Sequence, residues 1–178
     1  MLGDSRTKPM EILLVEDGLV DARITIHALR RSGVHHRLTL VRTVHEAILF
    51  MKRTGIFSRA PRLDLLLLDM LLPDGTGLDV LEEMREIQPE AGRITTVVLT
   101  ALEDDTYRKR CDELGVYDYI QKPVSEEEFL RVVRDHKKLM IHLQQAAVAS
   151  APDGHEGNSA INAPHFNTAA HHSAQSST

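Results

Sequence analysis

Short apolar runs alternate along the chain with longer stretches in which apolar residues recur at helical spacing. The apolar runs are continuous or rich in β-branched residues, as expected for strands that are buried on both faces of a sheet. The predicted strands cover residues 12–15, 37–42, 64–69, 94–100 and 116–120. The stretches that follow them predict helices starting near Leu19, Thr43, Leu78, Asp104 and Ser125. This alternation predicts an α/β fold, in which helices cover both faces of a parallel five-stranded sheet.

Capping residues and glycines predict where several helices begin and end. Thr43 with Glu46, and Ser125 with Glu128, have the spacing of capping boxes at helix starts. Glycines follow three predicted helices and favour the backbone conformation that ends a helix, at positions 33, 55 and 115. The connection Thr54–Leu63 is long for such a unit, so we expect it to project from the surface.

Composition divides the chain into one folding unit and a tail. The chain has 178 residues, of which 42% are hydrophobic and 26% charged, which suffices for one domain with a core. Residues 146–178 contain no Lys or Arg and few large apolar side chains. Such a segment buries too little surface to offset its ordering entropy. We therefore expect a flexible N-terminus at 1–8, a folded domain at 9–145 and a disordered tail at 146–178.

Charge and cysteine content exclude several classes of protein. The net charge of −5 argues against binding nucleic acid or anionic lipid through bulk charge. The single cysteine, Cys111, cannot form an internal disulfide, which favours a reducing, cytoplasmic location. No apolar stretch approaches the roughly 20 residues that a membrane-spanning helix needs, and the first residues lack the pattern of a signal peptide.

Polar residues with possible chemistry stand where four predicted strands end. Glu16 and Asp17 follow the first strand, Asp69 ends the third, Thr100 ends the fourth and Lys122 follows the fifth. Alone, each is typical of a turn, a helix cap or a solvated surface. The carboxyl ends of the strands in an open parallel sheet lie at one edge, and ligands bind there. We therefore expect these residues to converge at that edge.

The donor types at these strand ends indicate a site for magnesium and phosphate. Three carboxylates without His or Cys form a hard oxygen site, which suits Mg²⁺. A carboxylate beside such an ion can act as a nucleophile and form an acyl phosphate. The Thr100 hydroxyl and the Lys122 ammonium would then neutralise charge on the phosphoryl oxygens, and the small Ala101 would leave room for the group.

Four motifs in this order resemble the receiver domain of two-component response regulators, the CheY-like family. They are ILLVEDG at 12–18, LLLLDMLLPDGTG at 65–77, VVLTA at 97–101 and GVYDYIQKP at 115–123. The resemblance spans about residues 10–140. It implies a flavodoxin-like (βα)5 three-layer sandwich with strand order 2-1-3-4-5.

The resemblance also implies a role for each site residue. Asp69 would be the phosphoacceptor, and Thr100 and Lys122 would contact the phosphoryl group. The ligands of Mg²⁺ would be Asp17, Asp69, the backbone carbonyl of Leu71 and, through water, Glu16. Glu16 departs from the aspartate usual at its position, which a water-mediated contact tolerates. Tyr119, three residues before Lys122, occupies the family's aromatic switch position, at which the ring turns inward as Thr100 moves toward the phosphate.

A single-domain regulator is the function that the sequence favours. The tail contains no helix-turn-helix pattern, basic patch or catalytic motif, so output through protein contacts is expected. The first helix and the Thr54–Leu63 connection resemble small regulators paired with phytochrome-type histidine kinases. The kinase would dock near the first helix, around Gly18, Leu19, Val20 and Ala22. A passive phosphate sink or relay scaffold is an alternative that the sequence does not separate from a regulator.

Enzyme alternatives fit the sequence poorly. An aspartyl-phosphate phosphatase needs a second acid two residues after its nucleophile, and position 71 is Leu. The P-loop pattern GxxxxGK[ST] is absent. Leu71 and Leu102 flank the path by which water reaches the phosphate in the family, and neither side chain can orient a water. We therefore expect a long-lived aspartyl phosphate.

The predicted fifth helix carries more apolar residues than a core-facing stripe requires. Five positions share a spacing of about 3.5 residues, typical of a short heptad seam: Val132, His136, Leu139, Leu143 and Ala146. The seam predicts homodimerisation through helix 4, strand 5 and helix 5. The alternative is a longer helix that packs on the chain's own core.

Overall fold

The computed structural model describes residues 9–87, 94–101 and 105–136. Five strands form one parallel sheet: β1 Met10–Val15, β2 His36–Val41, β3 Leu65–Asp69, β4 Thr95–Thr100 and β5 Asp118–Gln121. Their order is β2-β1-β3-β4-β5, and each neighbouring pair is parallel. The predicted sheet and strand order 2-1-3-4-5 are confirmed. A two-stranded hairpin, Leu71–Leu72 with Gly75–Thr76, lies in the loop after β3.

Helices connect the strands in the predicted alternation. They are α1 Leu19–Arg31, α2 Val44–Lys52, α3 Gly77–Ile87, α4 Asp105–Glu113 and α5, which covers 126–136. No helix in the described part of the chain is long and apolar enough to span a membrane. The predicted segment 1–8, the end of the folding unit beyond 136 and the tail 146–178 lie outside the described residues.

Two apolar clusters hold the sheet between its helices. Successive residues of a strand point to opposite faces, so Leu65 and Leu67 of β3 face one cluster while Leu66 and Leu68 face the other. Residues of α1 and α5 complete the first cluster, including Ala22, Leu29, Phe129, Val132 and Val133. Residues of α2, α3 and α4 complete the second, including Ala47, Phe50, Val80, Leu81 and Cys111. The predicted three-layer sandwich is confirmed, and the continuous leucine run reflects burial on both faces.

Helix ends follow the predicted glycines with one exception. Gly33 and Gly115 have φ of 66° and 85° after α1 and α4. The predicted end of α2 near Gly55 is wrong, because α2 ends at Lys52 and Arg53 takes the left-handed conformation with φ 55°. The Arg53 N–H donates to the Phe50 carbonyl at 3.1 Å, so backbone hydrogen bonding ends the helix before the glycine is reached.

The connection between α2 and β3 is largely exposed, as expected, but two of its residues pack on the core. Its 3-10 turn, Gly55–Phe57, exposes 82% of Ile56. Phe57, however, lies edge-to-face on Phe50 with ring centroids 5.2 Å apart, and Ala60 is buried. Phe57 and Ala60 therefore anchor the segment to the core, while most of its other residues are exposed.

The buried face of α5 corrects the predicted seam. Val132 and His136 are 0% and 8% exposed within the single chain. His136 Nδ1 shares a hydrogen bond of 2.7 Å with Thr95 Oγ1 of β4. The first two seam positions therefore belong to the chain's own core, where the sheet needs an apolar cover. Leu139, Leu143 and Ala146 lie outside the described residues.

Burial of His136 predicts a pH-dependent stability. Burial lowers the pKa of His136 below its usual 6.5, although Asp64 opposes the shift. Its contribution to stability is complete above the unfolded pKa and is lost as pH falls from that value through the lower folded pKa, because the unfolded chain binds a proton that the folded chain disfavours. We expect the free energy of unfolding, from urea titrations followed by circular dichroism, to fall between about pH 7.5 and 5.5. His136→Gln should flatten this fall, whereas replacing the exposed His27 with Gln should leave it unchanged. An equal slope in all three proteins would contradict the prediction.

Candidate functional site

Three carboxylates meet where the two central strands end. Glu16 and Asp17 follow β1, and Asp69 is the last residue of β3. β1 and β3 are direct neighbours, with Val15 opposite Leu68, so the next positions along both strands lie side by side. One oxygen from each carboxylate lies within 4.8 Å of the other two. The predicted convergence is therefore present.

Lys122 brings a positive charge into this cluster. Its Nζ lies 2.8 Å from Asp69 Oδ2 and 2.6 Å from Glu16 Oε2. The side chain is 11% exposed, so the pairs are shielded from water on most sides. The backbone N–H of Lys122 donates to the Thr100 carbonyl at 2.7 Å, which ties the ends of β4 and β5 together. The lysine is thus a buried partner of the acids, as the strand-end pattern predicts.

The carboxylate cluster and Lys122 together carry more negative than positive charge. Burial raises the pKa of Glu16, and Asp69 adds to the rise, against the lowering effects of Lys122 and of the Gly18 N–H. Burial alone would lower the pKa of Lys122, but its hydrogen bonds to Asp69 and Glu16 outweigh burial, and the pKa is raised. Lys122 therefore stays protonated. Since one ammonium faces three carboxylates, the donor set suits a hard divalent cation such as Mg²⁺.

Thr100 and Leu71 lie beside the cluster. Thr100 ends β4, the strand that pairs Leu99 with Asp69. Leu71 follows Asp69 by two residues, and its N–H donates to Asp69 Oδ1 at 3.4 Å. The Leu71 side chain is 65% exposed. Leu71 is therefore held close to Asp69 by its backbone and carries an exposed apolar side chain, while Leu102 lies outside the described residues.

Tyr119 contacts α4 in this structure and is not part of the carboxylate cluster. Its hydroxyl donates to Asp112 Oδ1 at 2.7 Å, and the Arg108 guanidinium lies 4.5 Å from the ring centroid. Burial raises the pKa of Tyr119, and the hydrogen bond to Asp112 adds to the rise, so the phenol stays protonated. The ring packs against the cluster beneath α2, α3 and α4.

The sequence patterns missed two residues that contact the site. Asp21 Oδ2 lies 3.6 Å from Lys122 Nζ. Its spacing of four residues from Asp17 was the available signal, because the first turn of α1 starts between them. Arg42 Nη2 donates to the Asp17 carbonyl at 2.7 Å. Arg42 follows β2, which the predicted strand order places beside β1, but no sequence pattern indicates the contact of its side chain with the Asp17 carbonyl.

Comparisons with known proteins agree with this geometry. The family model of the response regulator receiver domain matches residues 12–134. The response regulator Rcp1 of Synechocystis sp. is 32% identical over 133 residues, which cover 75% of this chain and 90% of Rcp1.

Solved structures of phytochrome response regulators share the fold. The phosphorylated cyanobacterial phytochrome response regulator RcpA is 33% identical with a TM-score of 0.62, covering 72% of this chain and 91% of RcpA. The Mn²⁺-bound form of Rcp1 is 33% identical with a TM-score of 0.61, covering 71% and 91%. The family model covers more than half of the chain, and its motif residues meet at one edge of the sheet, so the chain belongs to the response regulator receiver family.

Proposed function

We propose that Asp69 accepts a phosphoryl group from the phosphohistidine of a sensor histidine kinase. The observation that carries this proposal is the position of the Asp69 carboxylate, 2.8 Å from Lys122 Nζ and within 4.8 Å of oxygens of Glu16 and Asp17. An Asp69 oxygen attacks phosphorus and forms an acyl phosphate. The phosphorus–nitrogen bond of the donor breaks, and its electron pair stays on the imidazole.

The surrounding residues fit this transfer. Lys122 holds a protonated amine at Asp69, where it can neutralise charge on the phosphoryl oxygens, and the Thr100 hydroxyl would add a donor. Asp17, Asp69 and the Leu71 carbonyl would hold Mg²⁺, with Glu16 acting through water. Bound Mg²⁺ would supply charge neutralisation at the phosphoryl oxygens. The existence of a Mn²⁺-bound form of the relative Rcp1 supports a divalent-cation site in this chain.

Tyr119 is proposed as the switch that reports phosphorylation. In the phosphorylated state Thr100 would move toward the phosphoryl group and the ring would turn inward. The ring would then leave the Asp112 carboxylate and the Arg108 guanidinium, its present contacts on α4. Phosphorylation would therefore change the surface formed by α4 and β5, through which a partner could be regulated.

A phytochrome-type kinase is the proposed donor, because the relatives include phytochrome response regulators. Docking near α1 fits the exposure of Leu19 and Val20, at 57% and 70%, beside the site. The similarity to the response regulators Rcp1 and RcpA favours a regulator over the alternative of a phosphate sink or relay scaffold. A homodimer through α4, β5 and α5 is also proposed, since Tyr107 and Tyr117 expose aromatic surface on α4 and before β5.

Replacing the acceptor should abolish phosphorylation. Incubation with acetyl phosphate and Mg²⁺ should add one phosphoryl group to the wild type and essentially none to Asp69→Asn, measured by mass spectrometry of the intact protein. Asp21→Asn is the matched control, because its carboxylate also contacts Lys122 but stands at the rim. Undiminished labelling of Asp69→Asn would overturn the assignment.

Leu71 should set the lifetime of the phosphate. Leu71→Asn places an amide at the mouth that can orient water, so dephosphorylation after donor removal should accelerate by about tenfold or more. Leu71→Met should behave as the wild type, because it keeps the apolar surface and the backbone carbonyl. Loss of phosphate from the wild type within seconds would show that the long lifetime is wrong.

Charges on the distal part of the predicted seam should yield a monomer. Leu139→Glu with Leu143→Glu should halve the mass measured by light scattering, because buried like charges oppose association. Ile56→Glu, a substitution of the same type at an exposed site elsewhere, should leave the assembly intact. If the double variant keeps its mass, the proposed interface is wrong.

A further inference from the structure

The start of α2 binds a side chain from the phosphoacceptor loop. The first amides of a helix have no partner within the helix. Here Asp74, five residues after Asp69, accepts from the Val44 N–H at 2.7 Å and from the His45 N–H at 3.0 Å. Thr43 Oγ1 accepts from the next amide, that of Glu46, at 3.1 Å. Two caps therefore serve one helix, and only Asp74 comes from a distant loop.

The segment between Asp69 and Asp74 connects the contact at α2 to the site. Leu71 pairs with Thr76 and Leu72 with Gly75, so the loop is a hairpin with Asp74 at its turn. The hairpin fits tightly against α2, since a Cβ on Gly75 would lie 3.1 Å from Val44 Cγ2 and 2.8 Å from Asp79 Oδ2. Asp79 holds the other end by accepting from the Thr76 N–H at 2.7 Å.

The same junction holds the loop that carries Asp17. Arg42, between β2 and α2, donates from Nη2 to the Asp17 carbonyl at 2.7 Å. Its own N–H donates to Glu46 Oε2 at 2.8 Å, which fixes the Arg42 backbone to the first turn of α2. The predicted capping box is therefore shifted by one residue, because the Glu46 side chain accepts from the N–H of Arg42, the residue before Thr43. Arg42, Val44 and His45 therefore contact the two loops that carry proposed metal ligands.

We propose that the β2–α2 junction is a positioning frame, in which Arg42 and Asp74 hold the Asp17 carboxylate and the Leu71 carbonyl at the spacing required by one divalent cation. This inference rests on the proposed function. Neither residue is itself a ligand, so both are positioning residues. Anchored loops lose little conformational freedom when the cation binds, whereas a loop released from α2 must be ordered by the cation.

Thr43 offers a control that distinguishes the positioning of metal ligands from a general effect on stability. It caps the same helix as Asp74 but, through that cap, touches neither loop. Loss of either cap should destabilise the protein to a similar extent. Only loss of Asp74 should also loosen the hairpin that carries Leu71.

The proposal is tested by measuring Mn²⁺ binding to the full chain by calorimetry, without any phosphodonor. The thermal unfolding of each variant is measured in parallel, without metal. Asp74→Ala and Arg42→Met should each raise the Kd about tenfold, the lower end for residues that support metal ligands. Thr43→Ala should lower the melting temperature as Asp74→Ala does but leave the Kd within about twofold. Asp74→Asn keeps an oxygen acceptor and should bind with intermediate affinity.

The outcomes separate the two levels of the proposal. Wild-type affinity in Asp74→Ala and Arg42→Met, or an equal loss of affinity in Thr43→Ala, overturns the positioning frame alone. Absence of Mn²⁺ binding by the wild type, or undiminished binding by Asp17→Asn with Asp69→Asn, overturns the proposed metal site as well. If Asp74→Ala does not fold, Asp74→Asn and Arg42→Met decide between these outcomes.

Discussion

Mutual repulsion among three carboxylates is the constraint on which this site depends. At an effective dielectric constant near 20, two unit charges about 4 Å apart interact by about 4 kcal/mol. The oxygens of Glu16, Asp17 and Asp69 lie within 4.8 Å of one another, and Glu16 is also buried. Lys122 offsets part of this cost through its contacts with Asp69 and Glu16. The remaining imbalance disfavours the free site and favours a bound cation.

The sheet supplies the rigidity that such a site requires. β3 is buried along its whole length, and five residues of β1 are buried with it. These strands cannot shift without disrupting both apolar clusters, because close-packed interiors resist small displacements. Repulsion between the acids therefore cannot relax by moving the strands, and any adjustment falls on the loops. This is why the contacts of those loops with the start of α2 matter for the site.

The connection between site and surface follows from hydrogen bonds across the strand ends. Lys122 is bound through its side chain to Asp69 and through its backbone to Thr100. Tyr119 lies three residues earlier on β5 and reaches α4 through Asp112. A change at Asp69 thus has a short covalent and hydrogen-bonded route to α4. In the proposed switch, inward rotation of the ring would break the hydrogen bond between Tyr119 and Asp112.

The amino-acid sequence was enough to predict the strands, their order through the family resemblance, and the acids and lysine of the site. It could do so because buried parallel strands are continuous apolar runs, and their carboxyl ends meet at one edge. The three-dimensional structure was needed to show that Val132 and His136 belong to the core, and that Arg42 and Asp74 join the site to α2. These features depend on contacts between residues far apart in the chain. Helical periodicity marks an apolar face without saying what covers it, and an exposed charge has no partner until the fold supplies one.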